Sequence, residues 1–201
     1  MKNNDLIKKE VEVKLPSKYG DFILHAYNIV GTMEYHLALV KGKWNKDEPI
    51  LVRIHSSCVT GDIFGSLRCD CGPQFEKAMK MIEKEGKGVL VYLNQEGRGI
   101  GLMNKLKAYK LQENGIDTAQ ANIELGFKID ERDYGVGAQI LSDLDISQIR
   151  LLSNNPDKKE SLIRYGLNVV ENIPVEIKSN DHNRHYLMTK RDKMGHKLNL
   201  D

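Results

Sequence analysis

Gly88-Val89-Leu90-Val91-Tyr92-Leu93 runs straight into Asn94-Gln95-Glu96-Gly97-Arg98-Gly99-Ile100-Gly101, and Leu102, Leu106 and Tyr109 follow at helical spacing up to Gly115. Apolar residues in a row, rich in β-branched and aromatic side chains, read as a strand buried on both faces. A glycine-rich loop and a helix behind such a strand form a unit in which backbone N–H groups and the helix dipole favour an anion. The loop is not a Walker A sequence, for it lacks Gly-Lys-Ser/Thr, and it does not keep the glycine spacing of the dinucleotide fingerprint. Arg98 inside it, with Lys105 and Lys107 on the next helix, makes a phosphate chain a plausible anion.

Toward the N-terminus, Val11-Glu12-Val13-Lys14-Leu15 alternates with period two, and so, less cleanly, do 22–30, 35–40 and 50–54. Pro73 then opens a helix along which Phe75, Met79 and Ile82 recur, closed by Gly86 and Gly88. Toward the C-terminus, Asp117-Thr118 caps a helix to about Leu125, and 149–153 reads as a short buried strand. Asn155-Pro156 starts a helix that Gly166 ends, and Met194-Gly195-His196 ends a last one. A β-rich N-terminal half followed by alternating strand and helix predicts an α+β or mixed α/β architecture, with helices packed against a central sheet. The expectation is a single compact domain over residues 1–201, with its core at about 22–195.

Apolar residues make up 40% of the 201 and charged ones 29%, a globular composition. A net charge of +2 and few aromatics offer no phosphate-tracking surface, which argues against nucleic acid as a partner. No apolar run approaches the roughly 18 to 20 residues of a membrane span. Met1-Lys2-Asn3-Asn4-Asp5 leads into Lys8-Lys9-Glu10 with no hydrophobic signal core, so the reading is cytoplasmic.

Cys58, Cys69 and Cys71 are the only cysteines and lie close together in the chain. An odd number in a reducing compartment leaves buried hydrophobes or metal-binding thiolates. Three ligands with no fourth cysteine is the pattern of a catalytic zinc, whose open position lowers the pKa of bound water from about 15.7 to about 7. His55 as a fourth ligand would instead make the site structural. Asp70, between two cysteines, reads as a support for the ligands, and Arg68 as a charge that balances them or reaches toward a substrate. Asp130-Glu131-Arg132-Asp133-Tyr134 reads by itself as a solvated charged face more often than as a functional cluster, and Ser153-Asn154-Asn155-Pro156-Asp157-Lys158, between a buried strand and a helix, either as a place where phosphate oxygens settle or as a simple N-cap. Tyr109 reads as core beside Leu102 and Leu106, and His182, His185 and His196 as surface histidines.

Taken together, Arg53-Ile54-His55-Ser56-Ser57-Cys58-Val-Thr60-Gly61-Asp62, Ser66-Leu67-Arg68-Cys69-Asp70-Cys71-Gly72, Gln95-Glu96-Gly97-Arg98 and Asp130-Glu131-Arg132-Asp133-Tyr134 closely resemble GTP cyclohydrolase II, which opens riboflavin biosynthesis. The likeness runs from about Phe22 to Gly195, several motifs in the right order. It implies conversion of GTP to 2,5-diamino-6-ribosylamino-4(3H)-pyrimidinone 5′-phosphate, formate and pyrophosphate. It implies one catalytic zinc per subunit on Cys58, Cys69 and Cys71, and magnesium with the GTP phosphates. Arg53, Ile54, His55, Ser56, Ser57, Gln74, Glu96, Gly97, Arg98, Thr118, Ser153 and Lys158 match GTP-binding positions. Asp130 matches a proton acceptor, Arg132 a nucleophile toward the α-phosphate, and Tyr109 a tyrosine of the hydrolytic steps.

The resemblance further implies a homodimer, and the expectation from 201 residues is a chain without the dihydroxybutanone-phosphate synthase domain fused to some members. Ser57 stands where Glu is usual, Asn94 where Arg is common, and Ser153 in place of Thr. Two other readings remain: a paralogue that stops at the formamide, against which Tyr109 counts, and a nucleotide-binding regulator with a structural Cys3His zinc.

Overall fold

The computed structural model describes residues 6–200, so Met1–Asp5, on which the absence of a signal core was partly read, lies outside them. Seven strands form one mixed sheet: β1 (Ile7–Ser17), β2 (Gly20–Ile29), β3 (Tyr35–Lys41), β4 (Ile50–Ser56), β5 (Gly88–Leu93), β6 (Gln148–Leu152) and β7 (Asn168–Ile173). Their spatial order is β1-β2-β3-β5-β4-β6-β7. The half from β1 to β5 is antiparallel, and β5, β4, β6 and β7 are parallel. Helices α1 (Cys71–Glu85), α2 (Gly101–Glu113), α3 (Thr118–Glu124), α4 (Gly135–Asp143), α5 (Pro156–Arg164) and α6 (Arg184–Met194) complete the mixed α/β fold expected from the sequence.

Alternate residues of the central strands serve opposite faces. Leu51, Leu90 and Leu152 pack with Ala78, Met79 and Ile82 of α1, while Val52, Ile54, Val91 and Leu93 pack with Ala138 and Leu141 of α4 and Leu162 of α5. Each such fully buried side chain contributes about 1.5–3 kcal/mol. β1 is an edge strand, and its alternation does not produce a buried face: Val11 and Val13 stay exposed.

β5 and the helices at Pro73, Asp117 and Asn155 fall where the sequence placed them; the Asp117 and Asn155 side chains accept from backbone N–H groups as N-caps. α4 and β7 are additions to the sequence reading. α2 corrects it, because its buried residues are Lys105 and Ala108, whereas Leu106 is exposed. The inward face of α2 looks onto a polar pocket and not onto the core. That pocket lies beyond the carboxyl ends of β4, β5 and β6, where open α/β sheets receive ligands.

Candidate active site

The chain leaving β4 turns at Val59–Ile63 and returns through Ser66–Asp70 into the first turn of α1. This brings together the Sγ atoms of Cys58, Cys69 and Cys71, all within 4.8 Å of one another. Cys58 and Cys69 stand 3.7 Å apart, close to the edge of a tetrahedron with metal–sulfur bonds of about 2.3 Å. Gly61 makes this approach possible, since a Cβ there would lie 2.8 Å from Cys69 Sγ.

The trio's charges are unequal. Contacts from Cys69 and Cys71, then Lys105, hold Cys58 far below the ordinary thiol value. The same proximity to Cys58, with burial, pushes Cys69 up to about 11 and raises Cys71. Three thiolates cannot share so small a space without a cation, and a soft divalent metal suits the donor set.

His55 is not part of the group. Its Nε2 lies 3.1 Å from both carboxylate oxygens of Asp62, and its ring stacks on Tyr92. Asp62 also accepts from the Tyr92 hydroxyl at 2.9 Å and from the Cys58 backbone N–H at 2.9 Å, so His55 braces the metal turn from behind. Among the described residues no histidine or carboxylate joins the three sulfurs.

The loop after β5 is fastened to the same turn. Glu96 accepts from Val59 N–H at 2.6 Å, from Gly97 N–H at 2.8 Å and from Lys105 Nζ at 2.8 Å. Lys105 reaches Thr60 Oγ1 at 2.9 Å and Cys58 Sγ at 3.1 Å, and Glu96 followed by Cys58 holds its ammonium above the usual value against the effect of burial. Lys105 thus ties the cysteine turn to the loop after β5 while also lining the pocket, and Lys107 is exposed. Arg98 is left-handed at φ 61°, a strained conformation of the kind that collects at functional sites. Its guanidinium donates to Ile129 O at 3.0 Å.

Arg53, on the α1 face of β4, donates to Gln74 Oε1 at 2.7 Å and to Leu152 O at 3.0 Å, leaving Nε buried and unpaired. Gln74 in turn donates to Asp70, whose other oxygen accepts from Lys190 Nζ at 2.7 Å. Burial opposes ionisation of Asp70, but Lys190 outweighs it and holds the carboxyl below the ordinary range. Lys158 of α5 donates to Ile54 O at 2.7 Å, and burial, with Arg53 and Arg132 beside it, lowers its ammonium far below the usual value. Buried cations gathered so closely that Arg53 and Arg132 disfavour the charge of Lys158 call for an anion.

Arg132 Nε lies 2.9 and 3.1 Å from the two oxygens of Asp130. Burial disfavours its charge, yet Tyr134 and Asp130 keep its guanidinium above the ordinary value. Tyr109 OH is 3.4 Å from Thr60 Oγ1, and Arg68 stacks over the Tyr109 ring at 4.2 Å. Arg68 is thus engaged by Tyr109 and Glu113 and is not among the residues that line the pocket.

Arg53, His55, Ser56, Ser57, Gln74, Glu96, Gly97, Arg98, Tyr109, Thr118, Arg132, Ser153, Lys158 and the three cysteines all line one pocket. Two expected residues do not. The Ile54 side chain lies in the core on the opposite face, and Asp130 stands behind Arg132. The structure adds Tyr186, Lys190 and His196 from the C-terminal segment; His182 and His185 are exposed as expected, whereas His196 is half-buried on the pocket wall. Nothing in its spacing marked His196, since the α6 residues that bring it inward show no clean apolar stripe. Ser56 and Ser57 Oγ are buried without partners on the pocket wall.

Residues 8–174 match the GTP cyclohydrolase II family. The riboflavin biosynthesis protein RibBA of Cytophaga hutchinsonii is 64% identical over 196 residues, which cover 98% of this chain and 48% of that protein. RibBA of Phocaeicola vulgatus is 59% identical over 201 residues, covering 100% of this chain and 50% of that protein. The chain spans about half the length of the curated relatives it matches. Among solved structures, RibBX, a two domain 3,4-dihydroxy-2-butanone 4-phosphate synthase from A. baumannii, overlaps 75% of this chain and 35% of its own with a TM-score of 0.43 at 26% identity.

Proposed function

The chain belongs to the GTP cyclohydrolase II family, and from that membership we propose that it hydrolyses GTP to 2,5-diamino-6-ribosylamino-4(3H)-pyrimidinone 5′-phosphate, releasing formate and pyrophosphate, as the first step of riboflavin biosynthesis. The observation that carries the reading is the opening of the sulfur trio onto the same pocket as the buried cations Arg53, Lys158 and Arg132. Ring hydrolysis needs the first and a triphosphate needs the second. Cys58, Cys69 and Cys71 would hold zinc, which supplies Lewis acidity for activating water toward C8 of guanine and then toward the formamide. Magnesium would accompany the phosphates, as hard cations do for nucleotides.

The chain's own groups do the rest. Arg53 and Lys158 hold the phosphates in a space where removal from water strengthens every charge. Ser56 and Ser57 offer unpaired hydroxyls to the bound nucleotide. Tyr109, close to Thr60 on the metal turn, presents a hydroxyl to the hydrolytic steps. Arg132 would attack the α-phosphate, forming a P–N bond as the P–O bond to pyrophosphate breaks, and water would later cleave that P–N bond to free the 5′-phosphate and restore Arg132. Asp130, paired to Nε, is placed to take a proton as the new bond forms. The same pairing stabilises the protonated guanidinium, so proton loss must accompany attack and not precede it. Family membership also supports a cytoplasmic homodimer; no helix among the described residues is long and apolar enough to cross a membrane.

Incubating the purified chain with GTP, magnesium and zinc, while following pyrimidine absorbance, formate and pyrophosphate separately, tests the reading. All three products are expected. Pyrophosphate without formate would instead assign the chain to enzymes that stop at the formamide.

A further inference from the structure

Helix α6 and the turn after it lie beyond the residues that match the family, yet they form a wall of the pocket. Gly195 ends α6 in a left-handed conformation at φ 65°, and the chain doubles back so that His196 N–H bonds Lys190 O at 3.1 Å. The next residue, Lys197, donates its backbone N–H to Asn154 O at 3.0 Å. Those bonds fix His196 against the loop between β6 and α5, the loop that also supplies Ser153 and leads to Lys158. Its Nε2 is buried and has no hydrogen-bond partner. An orphaned imidazole nitrogen costs free energy unless something absent from the polypeptide completes it.

We propose that His196 is a substrate-binding residue whose Nε2–H donates to an oxygen of the phosphate chain. The inference rests on the GTP reading above and adds a contact to the same site. Charge explains the choice of ligand atom. Burial first, and then the charges of Lys190, Arg132 and Lys158 that line the same pocket, push the imidazole down to about 3, so it sits neutral among cations. Of the bonds then open to it, donation to an anionic oxygen shared with those cations is the strongest, because charge-assisted bonds exceed neutral ones. A neutral donor adds directionality where a fourth cation would only add repulsion.

Calorimetric titration of the full chain with inorganic tripolyphosphate and, separately, with guanosine tests the proposal. His196→Ala should weaken tripolyphosphate binding by about 10-fold, the scale of one hydrogen bond to a charged group, and leave guanosine binding unchanged. His196→Gln, which restores an N–H donor, should recover most of the loss. If His196→Ala does not give a folded circular dichroism spectrum, His196→Phe keeps the ring and removes the nitrogens, and is judged by the same criterion. Undiminished tripolyphosphate binding in the variant, or equal loss of both ligands, overturns the contact while leaving the GTP reading intact. A wild-type chain that binds neither probe overturns both.

Discussion

Lys105 Nζ stands 3.1 Å from Cys58 Sγ and 2.8 Å from Glu96 Oε1, so one buried ammonium joins the first sulfur of the trio to the loop after β5. Both partners are anionic, and Glu96 is itself spent on the backbone N–H groups of Val59 and Gly97. Removing the ammonium strands a buried carboxylate. Lys105→Met is therefore expected to lower stability by about 3–5 kcal/mol, the cost of breaking a buried pair by one partner. Urea denaturation measures it, and a loss below about 1 kcal/mol would show that the pair is not holding the turn.

Gly61 packs its Cα against the sulfurs. A methyl group there would meet Cys69 Sγ at 2.8 Å and Cys58 Sγ at 3.1 Å, so the sulfurs must part. Gly61→Ala is expected to weaken zinc binding by about 10-fold or more, within the range seen when the support of a metal ligand is disturbed. Competition against a chromophoric chelator reads this directly; wild-type affinity would mean that the turn relaxes freely.

Arg132→Ala should reduce pyrophosphate release by at least about 100-fold, the scale on which one charged group at a reacting phosphate acts. Arg132→Lys separates the roles. A purely electrostatic Arg132 would be largely restored by Lys, whereas a nucleophile held by Asp130 through Nε would not. Pyrophosphate assays on both variants decide between them.

His25, His36, His55 and His196 are each held below the ordinary imidazole value chiefly by burial. On unfolding they return to about 6.5. Below that pH the unfolded chain binds more protons than the native one, so stability falls as pH drops. Urea midpoints should decline steadily from about pH 6.5 to pH 5, above the range where ordinary carboxylates titrate, with a slope of up to about 1.4 kcal/mol per unit for each such histidine. Midpoints that stay level across that window would contradict the neutral state of these rings.

Much of this architecture is legible in the residues, and the misses have physical causes. The run from Gly88 to Leu93 names its strand because burial on both faces leaves no polar alternation. Tyr134-Gly135-Val136-Gly137 hid α4 because glycines usually break helices. Here they allow close packing: a Cβ on Gly137 would touch Ile54 Cδ1 at 3.1 Å, and one on Gly135 would reach Tyr165 Cζ at 2.7 Å. β7 was missed because it is an edge strand with little buried surface. The cysteines marked a cluster able to hold a metal by type and spacing, but whether His55 joins them waited on the structure, where its partner is Asp62, which no spacing rule identifies. His196 was unreadable for a related reason: it is held by a backbone bond from its neighbour Lys197 to Asn154, a residue far back in the chain.

The separations along the chain differ sharply between the two halves of the pocket. The sulfur donors all fall between positions 58 and 71, whereas Arg53 meets Leu152 across 99 positions, Lys158 meets Ile54 across 104, and Lys190 meets Asp70 across 120. Contacts between near neighbours close first, and distant ones wait for loop entropy to be overcome. The three thiol donors are thus translated, and separated only by short loops, before Lys158 and Lys190 have been added to the chain, so the sulfur half of the pocket has the smaller loop entropy to overcome.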